Sequence, residues 1–259
     1  MIIQKARDVL ICLSVLEGGD WNRILRRVQK NELPSDEEID AIMKGLKCKC
    51  LTYVDAEYPQ WLKMMRCPPF VLFYYGDISL LLKEPEKCLA VIGSREYSEY
   101  GANATREIVK DVAKELVIVS GLAKGIDTIA AETAIAHGGK TIAILGSGID
   151  NCYPLENIPL YNQIKSQHLL ISEYPGKTTP DSYHFPFRNR LIAYLSKCIL
   201  VTEAGERSGT SITVNWGLCS GKNIMCIPYP FGVSSACHRL IKEGALLVEN
   251  GNDVLEFMK

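Results

Sequence analysis

Arginine and lysine side chains recur in four short segments that also carry glycine, asparagine or hydroxyl residues. The segments are Gly-Ser-Arg at residues 93–95 and longer stretches at residues 120–127, 183–190 and 203–211. Glycine lets a ligand approach the backbone closely, and backbone N–H groups at a turn favour an anion. Arginine can hold a phosphate through two parallel hydrogen bonds. This combination of residue types predicts a binding site for phosphate groups.

The elements that would position these segments form an alternating pattern. Apolar runs end at Gly93, Gly121 and Gly146, and further apolar runs cover residues 168–172, 197–202 and 223–228. Helical patterns fall between them. Strands buried on both faces read as continuous apolar runs, so the pattern predicts an α/β fold with a mostly parallel sheet and helices on both faces. Loops that follow parallel strands meet at one edge of the sheet, where ligands bind.

Convergence at that edge would gather five cations into one positive pocket: Arg95, Lys124, Arg188, Arg190 and Arg207. Cations at a helix start are unfavourable unless an anion is present, which supports a phosphate site. The remaining predicted contacts come from glycine, hydroxyl and amide residues in the same segments: Gly93, Ser94, Gly121, Gly125, Asn189, Ser208, Gly209 and Ser211.

Structural alternatives stay open for each segment. The alternative for Arg95 is a surface side chain on a tight turn, and the alternative for Asp127 is the N-cap of a helix. The arginines at 188 and 190 suit an ion pair with an acidic loop such as Glu173.

Composition favours a globular protein and excludes several classes. The hydrophobic fraction of 47% and the charged fraction of 23% are ordinary. No apolar run is long enough for a membrane span, and the N-terminus lacks the pattern of a signal peptide, so we expect a cytoplasmic protein with no membrane partner. The net charge of −1 means that any positive potential is local.

No catalytic constellation, metal site or cofactor motif is found. The ten cysteines form no Cys-x-x-Cys pair and the four histidines are scattered, so we expect structural thiols and no metal. The residue 203–211 segment is not a P-loop, and the first strand lacks Gly-x-Gly-x-x-Gly. We therefore predict a binding protein without catalytic residues or a cofactor.

Residues 1–50 differ from the rest. Residues 6–16 and 21–30 have helical patterns, and Ser35 with Glu38 marks the capped start of a third helix. These patterns predict a small helical domain at residues 1–50, before a larger domain at residues 51–259. The basic helix at 21–30 either contacts nucleic acid or has a solvated face. Residues 70–75 are rich in strand formers and predict a strand.

Residues 58–248 carry a series of ordered motifs. They include Val-Ile-Gly-Ser-Arg at 91–95, Ser-Gly-Leu-Ala-Lys-Gly-Ile-Asp at 120–127, Tyr-Pro at 153–154, Ser-Glu-Tyr-Pro at 172–175, Phe-Pro-Phe-Arg-Asn-Arg at 185–190, Glu-Ala at 203–204, Arg-Ser-Gly at 207–209 and Cys-His-Arg-Leu-Ile-Lys-Glu-Gly at 237–244. Through these motifs the chain resembles the DprA/Smf family of bacterial DNA-processing proteins.

The resemblance implies an extended Rossmann-like fold, with residues 1–50 similar to the family's SAM-like domain. It also implies a homodimer that binds single-stranded DNA in a basic pocket, protects incoming DNA during natural transformation (competence) and loads the RecA recombinase. Arg95, Arg188, Arg190 and Arg207 match the family's pocket arginines.

The chain departs from the family pattern at two places. Many members carry a basic residue after Tyr-Pro, where this chain has Leu155 and Glu156, and Lys165 is a candidate replacement. Many members also have a C-terminal winged-helix domain, which we do not expect here because the sequence stops at Lys259.

A homodimer is also expected from the C-terminal pattern. An apolar strand at residues 245–248 comes late in the chain and should therefore lie near an edge of the sheet. An exposed apolar edge needs covering, and pairing with a second copy across a two-fold axis would cover the edges of both copies at once. The alternative is that these residues pack on their own sheet. The resemblance places dimer or partner contacts at His238, Ile241, Lys242 and Leu247.

An enzyme is the competing interpretation. Related folds bind or hydrolyse nucleotides, including the lysine-decarboxylase-like phosphoribohydrolases, which carry Pro-Gly-Gly-x-Gly-Thr-x-x-Glu. The matching segment, residues 203–211, lacks the paired glycines and the final glutamate.

Overall fold

A computed structural model describes residues 2–82, 85–205, 208–233 and 235–259. In those ranges the strands are β1 Lys49–Thr52, β2 Val71–Gly76, β3 Cys88–Gly93, β4 Val117–Ser120, β5 Lys140–Ile144, β6 Leu169–Ser172, β7 Cys198–Glu203, β8 Asn223–Cys226 and β9 Leu246–Leu247. None of the helices described there has the length and apolar character that crossing a membrane requires.

The helices divide into an N-terminal group and a group that surrounds the sheet. They are α1 Ile2–Leu16, α2 Trp21–Gln29, α3 Asp36–Gly45, α4 Gln60–Lys63, α5 Ser79–Leu82, α6 Glu99–Val112, α7 Ile126–Ala136, α8 Ile158–Gln167, α9 His184–Tyr194, α10 Gly209–Cys219, α11 Ala236–Lys242 and α12 Gly251–Phe257.

One sheet contains all the described strands, in the order β1-β2-β6-β5-β4-β3-β7-β8-β9. The seven neighbouring strands β6-β5-β4-β3-β7-β8-β9 run parallel to one another. At the other end of the sheet, β2 pairs antiparallel with β6, and β1 pairs antiparallel with β2. The predicted α/β class with a mostly parallel sheet is confirmed. Strand β1 was not predicted, because its four residues, Lys-Cys-Leu-Thr, carry no recognisable apolar run.

The sheet is buried on both faces, as the apolar runs predicted. In β3, Ala90 and Ile92 pack into the core on one face, whereas Leu89 and Val91 pack into the core on the other. All four side chains are at most 4% exposed. Alternate residues of one strand therefore serve two cores, and the sheet is a rigid platform for the loops at its carboxyl edge.

The N-terminal helices contact the sheet. Leu10 and Ile11 share a core with Phe73 of β2. The predicted capping box of α3 is present between Ser35 and Glu38. The boundary predicted between domains at residues 1–50 and 51–259 stays a prediction, and β1 spans it.

Candidate functional site

A cavity of about 570 Å³ opens at the carboxyl edge of the sheet, beside β3 and the first turns of α9 and α10. We call it the edge cavity. It is lined by Ile92, Gly93, Ser94, Arg95, Glu96, Ala123, Asp127, Ser182, Phe185, Pro186, Arg188, Asn189, Ile192, Ser208, Gly209, Thr210, Ile212 and Thr213. Its position matches the edge where parallel α/β sheets bind ligands.

The turn after β3 is held against the start of α7. The backbone N–H of Ile126 donates to the Ser94 carbonyl at 3.1 Å. Gly125 has a φ of +82°, and a Cβ there would lie 2.3 Å from the same carbonyl oxygen. Only glycine fits that position without displacing the turn. The sequence therefore fixes the backbone from which Arg95 extends.

Arg188 lies at the floor of the edge cavity and is only 4% exposed. Its guanidinium donates to the Gly121 carbonyl at 2.7 Å and to the Ile144 carbonyl. A Cβ on Gly121 would come within 2.6 Å of the guanidinium, so a glycine is required for this approach. Two strand ends, β4 and β5, thus orient one arginine.

The charges around Arg188 do not balance locally. The pKa of Arg188 is lowered to about 10, chiefly by burial; the Asp127 carboxylate opposes this shift and the charge of Arg95 adds to it. Burial also raises the pKa of Asp127. The shift of Arg188 reflects a guanidinium that has lost solvation on burial, and an anion placed between Arg188 and Arg95 would offset that loss.

Asp127 has a different role from the predicted helix cap. The N-cap of α7 is Gly125, and the Asp127 carboxylate accepts hydrogen bonds from the backbone N–H groups of Gly121 at 3.0 Å and Ala123 at 3.4 Å. The carboxylate therefore shapes the loop after β4 and faces Arg188 from the cavity wall.

Arg95 is exposed at the mouth of the cavity. Its guanidinium lies 5.6 Å from the centre of the Phe185 ring, and the Phe185 ring lies 5.6 Å from that of Tyr153. Within the described ranges no carboxylate is within ion-pair distance of Arg95. A cation beside two aromatic rings can contact both a phosphate and a base.

Lys124 is placed beside this mouth, in a side cavity of about 60 Å³ that Gly121 and Phe185 also line. Its ammonium group pairs with Glu156 at 2.7 Å, and hydrogen bonding to that carboxylate raises the pKa of Lys124. The acidic residue after Tyr-Pro thus neutralises a predicted phosphate contact. Lys165, the candidate replacement, is itself paired: its ammonium group lies 3.6 Å from Asp150 and 3.8 Å from the centre of the Tyr75 ring.

The first residues of α10 line the edge cavity and bond its other walls. The Asn189 amide donates to the Gly209 carbonyl at 3.3 Å, and the Thr210 hydroxyl donates to the Gly93 carbonyl at 3.2 Å. Ser208 lines the edge cavity, whereas Ser211 lines another cavity against α11. Arg207, predicted to belong to this site, lies outside the described residues.

Arg190 is not brought to the edge cavity, contrary to the expectation from sequence. It is 1% exposed, and its guanidinium makes two hydrogen bonds to the Glu173 carboxylate at 2.5 and 2.6 Å. Helix α9 begins at His184, so Arg190 lies in its second turn, where the N-terminal dipole has little effect. For this residue the alternative of an ion pair with Glu173 holds.

Glu203 is a positioning residue that the sequence pattern did not identify. Its carboxylate accepts hydrogen bonds from the Ser98 backbone N–H at 3.0 and 2.9 Å and from the Ser98 hydroxyl at 3.1 Å. It therefore joins the end of β7 to the N-cap of α6. The signal available in the sequence was its place directly after the apolar run at residues 197–202.

The family of DNA recombination-mediator protein A matches residues 49–259 of this chain. The chain belongs to this family. It is 44% identical to the DNA processing protein DprA of Streptococcus pneumoniae over 211 residues, which are 81% of this chain and 74% of that protein. It is 35% identical to DprA of Bacillus subtilis over 249 residues, covering 93% and 83% of the two chains.

Two solved DprA structures resemble the fold described above. The Streptococcus pneumoniae structure has a TM-score of 0.80 at 40% identity and covers 91% of this chain and 81% of that one. A Helicobacter pylori DprA structure, which concerns that protein's single-stranded DNA binding mode, has a TM-score of 0.73 at 27% identity and covers 82% and 95%. The DprA family consists of DNA-binding recombination mediators, not enzymes.

Proposed function

We propose that the protein binds single-stranded DNA across the edge cavity. The observation that carries this proposal is the pair of arginines there, with Arg188 buried at the floor and Arg95 exposed beside Phe185 at the mouth. Phosphates would meet the arginines, and bases would stack on the aromatic rings, which gives binding with little sequence preference. The DNA-binding mode of the Helicobacter pylori relative supports the same ligand.

The proposed contact residues follow from the geometry. Arg190 and Ser211 are left out, because Arg190 is buried in its pair with Glu173 and Ser211 faces α11. Lys124 is kept, because its ion pair with Glu156 is exposed, at 56% and 65% of the two side chains, and can exchange for a phosphate. Arg207 stays in the set on the basis of sequence alone. The proposed set is Gly93, Ser94, Arg95, Gly121, Lys124, Gly125, Arg188, Asn189, Arg207, Ser208 and Gly209.

We further propose that the protein shields this DNA from nucleases and loads the RecA recombinase on it in the cytoplasm during natural transformation. Membership in a family of recombination mediators supports this role.

The experiment that tests DNA binding compares three ligands by fluorescence anisotropy at fixed salt. We expect a long oligothymidylate to bind well, and we expect a duplex of the same length and a mononucleotide to bind much more weakly. A mononucleotide cannot contact Arg95, Lys124 and Arg188 through several phosphates as a polymer can, and paired bases cannot stack on Phe185. Equal affinity for the mononucleotide would instead support a nucleotide-binding protein.

A homodimer through the β9 edge is the second part of the proposal. Strand β9 lies at the end of the sheet, and Leu247 in it is 43% exposed. Lys242 of α11 is also exposed, whereas Ile241 packs against the core and His238 bonds the backbone of Tyr229. An uncovered apolar edge favours pairing with a second copy.

Leu247→Arg should convert the dimer to a monomer, because it places a charge in an apolar contact. Light scattering at tens of micromolar protein measures the mass. Leu16→Arg is a matched control, since Leu16 is 42% exposed and lies on α1, remote in sequence from β9. A monomeric wild type, or a dimeric Leu247→Arg protein, contradicts this interface.

A further inference from the structure

A second cavity, of about 410 Å³, lies between the turn that precedes α2 and the helices α9 and α10. Aromatic side chains form most of its wall. They are Trp21, Tyr174, Tyr183, His184, Phe187 and Trp216. We call it the aromatic cavity. Its size and its apolar lining with a few polar groups are those of a ligand site.

Several of these rings are fixed by contacts that do not depend on a ligand. His184 stacks on Tyr174 with ring centres 3.9 Å apart, and Tyr174 is only 3% exposed. Trp21 stacks on Phe70 at 5.4 Å, and its indole N–H donates to the Pro68 carbonyl at 2.7 Å. Preformed aromatic walls bind a flat ring with little loss of conformational entropy.

The aromatic cavity lacks the positive charge that a phosphate site needs. Among the described residues that line it there is no lysine or arginine, and it includes the acid Asp20. The Asp20 carboxylate accepts a hydrogen bond from the Arg23 backbone N–H at 2.9 Å as the N-cap of α2. Burial lowers the pKa of His184, which favours its neutral imidazole. Asp20 and Asn22 can exchange hydrogen bonds with the edge of a heterocycle. An uncharged aromatic ring with polar edge groups fits this chemistry.

The two cavities adjoin across α9. Pro186 and Ile212 line both of them. Phe185 and Arg188 face the edge cavity, whereas His184 and Phe187 face the aromatic cavity. A strand whose phosphates lie in the edge cavity can therefore place a neighbouring base in the aromatic cavity.

We propose that the aromatic cavity binds an unpaired nucleobase of the same DNA strand whose phosphates occupy the edge cavity. This inference rests on the proposed function. It assigns the N-terminal turn before α2 a direct part in DNA binding. It also predicts that the affinity for DNA depends on a base contact in the aromatic cavity, where no phosphate is bound.

The test compares a long oligothymidylate with an abasic deoxyribose phosphate chain of the same length. Tyr183→Ala and Trp216→Leu each remove one aromatic wall. We expect each to weaken binding of the oligothymidylate about tenfold, since stacking contributes on that scale, and to leave binding of the abasic chain unchanged. Tyr183 is 83% exposed, so its loss should not affect folding, which thermal unfolding would check.

Phe231→Ala is the matched control, because Phe231 is a fully exposed aromatic residue that lines neither cavity. Unchanged oligothymidylate affinity in Tyr183→Ala, or an equal loss for both polymers, overturns the inference. If Trp216→Leu proves unstable, Tyr183→Ala decides alone. If wild-type protein binds neither polymer, the proposed function itself fails.

Discussion

Replacing Arg190 with methionine should lower the free energy of unfolding by about 3–5 kcal/mol, because it leaves the Glu173 carboxylate buried without a partner. The side chains of both residues are at most 5% exposed, and the arginine also donates to the carbonyls of Cys67 and Phe187. Its guanidinium lies 3.7 Å from the centre of the Phe187 ring. Urea unfolding monitored by circular dichroism measures the loss.

The double variant Arg190→Met, Glu173→Leu is the control for this interpretation. Removing both charges leaves neither uncompensated, so the double variant should be more stable than Arg190→Met alone. If Arg190 were instead a DNA contact, Arg190→Met would keep its stability and lose affinity. A loss of stability below about 1 kcal/mol would show that the pair does not hold α9 to the loop after β6.

Arg95→Ala should weaken binding of a long oligothymidylate roughly 10- to 150-fold, the equivalent of one lost charge-assisted hydrogen bond to a phosphate. Stability should change little, because Arg95 is exposed and its described contact is with the Phe185 ring. Anisotropy titration gives the affinity, and urea unfolding checks the fold.

Arg106→Ala is the matched control for Arg95→Ala. It makes the same change in net charge at an exposed position of α6, where the guanidinium bonds only Asn103 among the described residues. We expect its DNA affinity to stay near that of the wild type. Equal losses in the two variants would mean that net charge, not the edge cavity, governs binding.

The positions that were predictable from sequence depend on local structure. Arg95 follows an apolar strand and a glycine, so its place at the sheet edge could be inferred from neighbours within a few residues. The same reasoning located Arg188 and Asn189 near the start of a helix. It also placed the residue 245–248 strand at an edge, because a strand added late tends to join the end of a sheet.

The positions that were not predictable depend on contacts between distant segments. The partner of Arg190 is Glu173, on the loop after another strand, and the pairing requires α9 to begin four residues before Arg188. The neutralisation of Lys124 by Glu156 likewise joins two loops. The aromatic cavity combines Trp21 with Trp216, which no local pattern connects.

The salt dependence of oligothymidylate binding tests the central claim most directly. Engagement of about four phosphates by the cations of the proposed contact set, Arg95, Lys124, Arg188 and Arg207, predicts a slope near −3 for log affinity against log salt, from roughly 0.7 per phosphate on single strands. Arg95→Ala should make this slope shallower by about 0.7, and Arg106→Ala should leave it unchanged. A wild-type affinity that does not vary with salt, or an identical slope in Arg95→Ala, would contradict phosphate binding at this cavity.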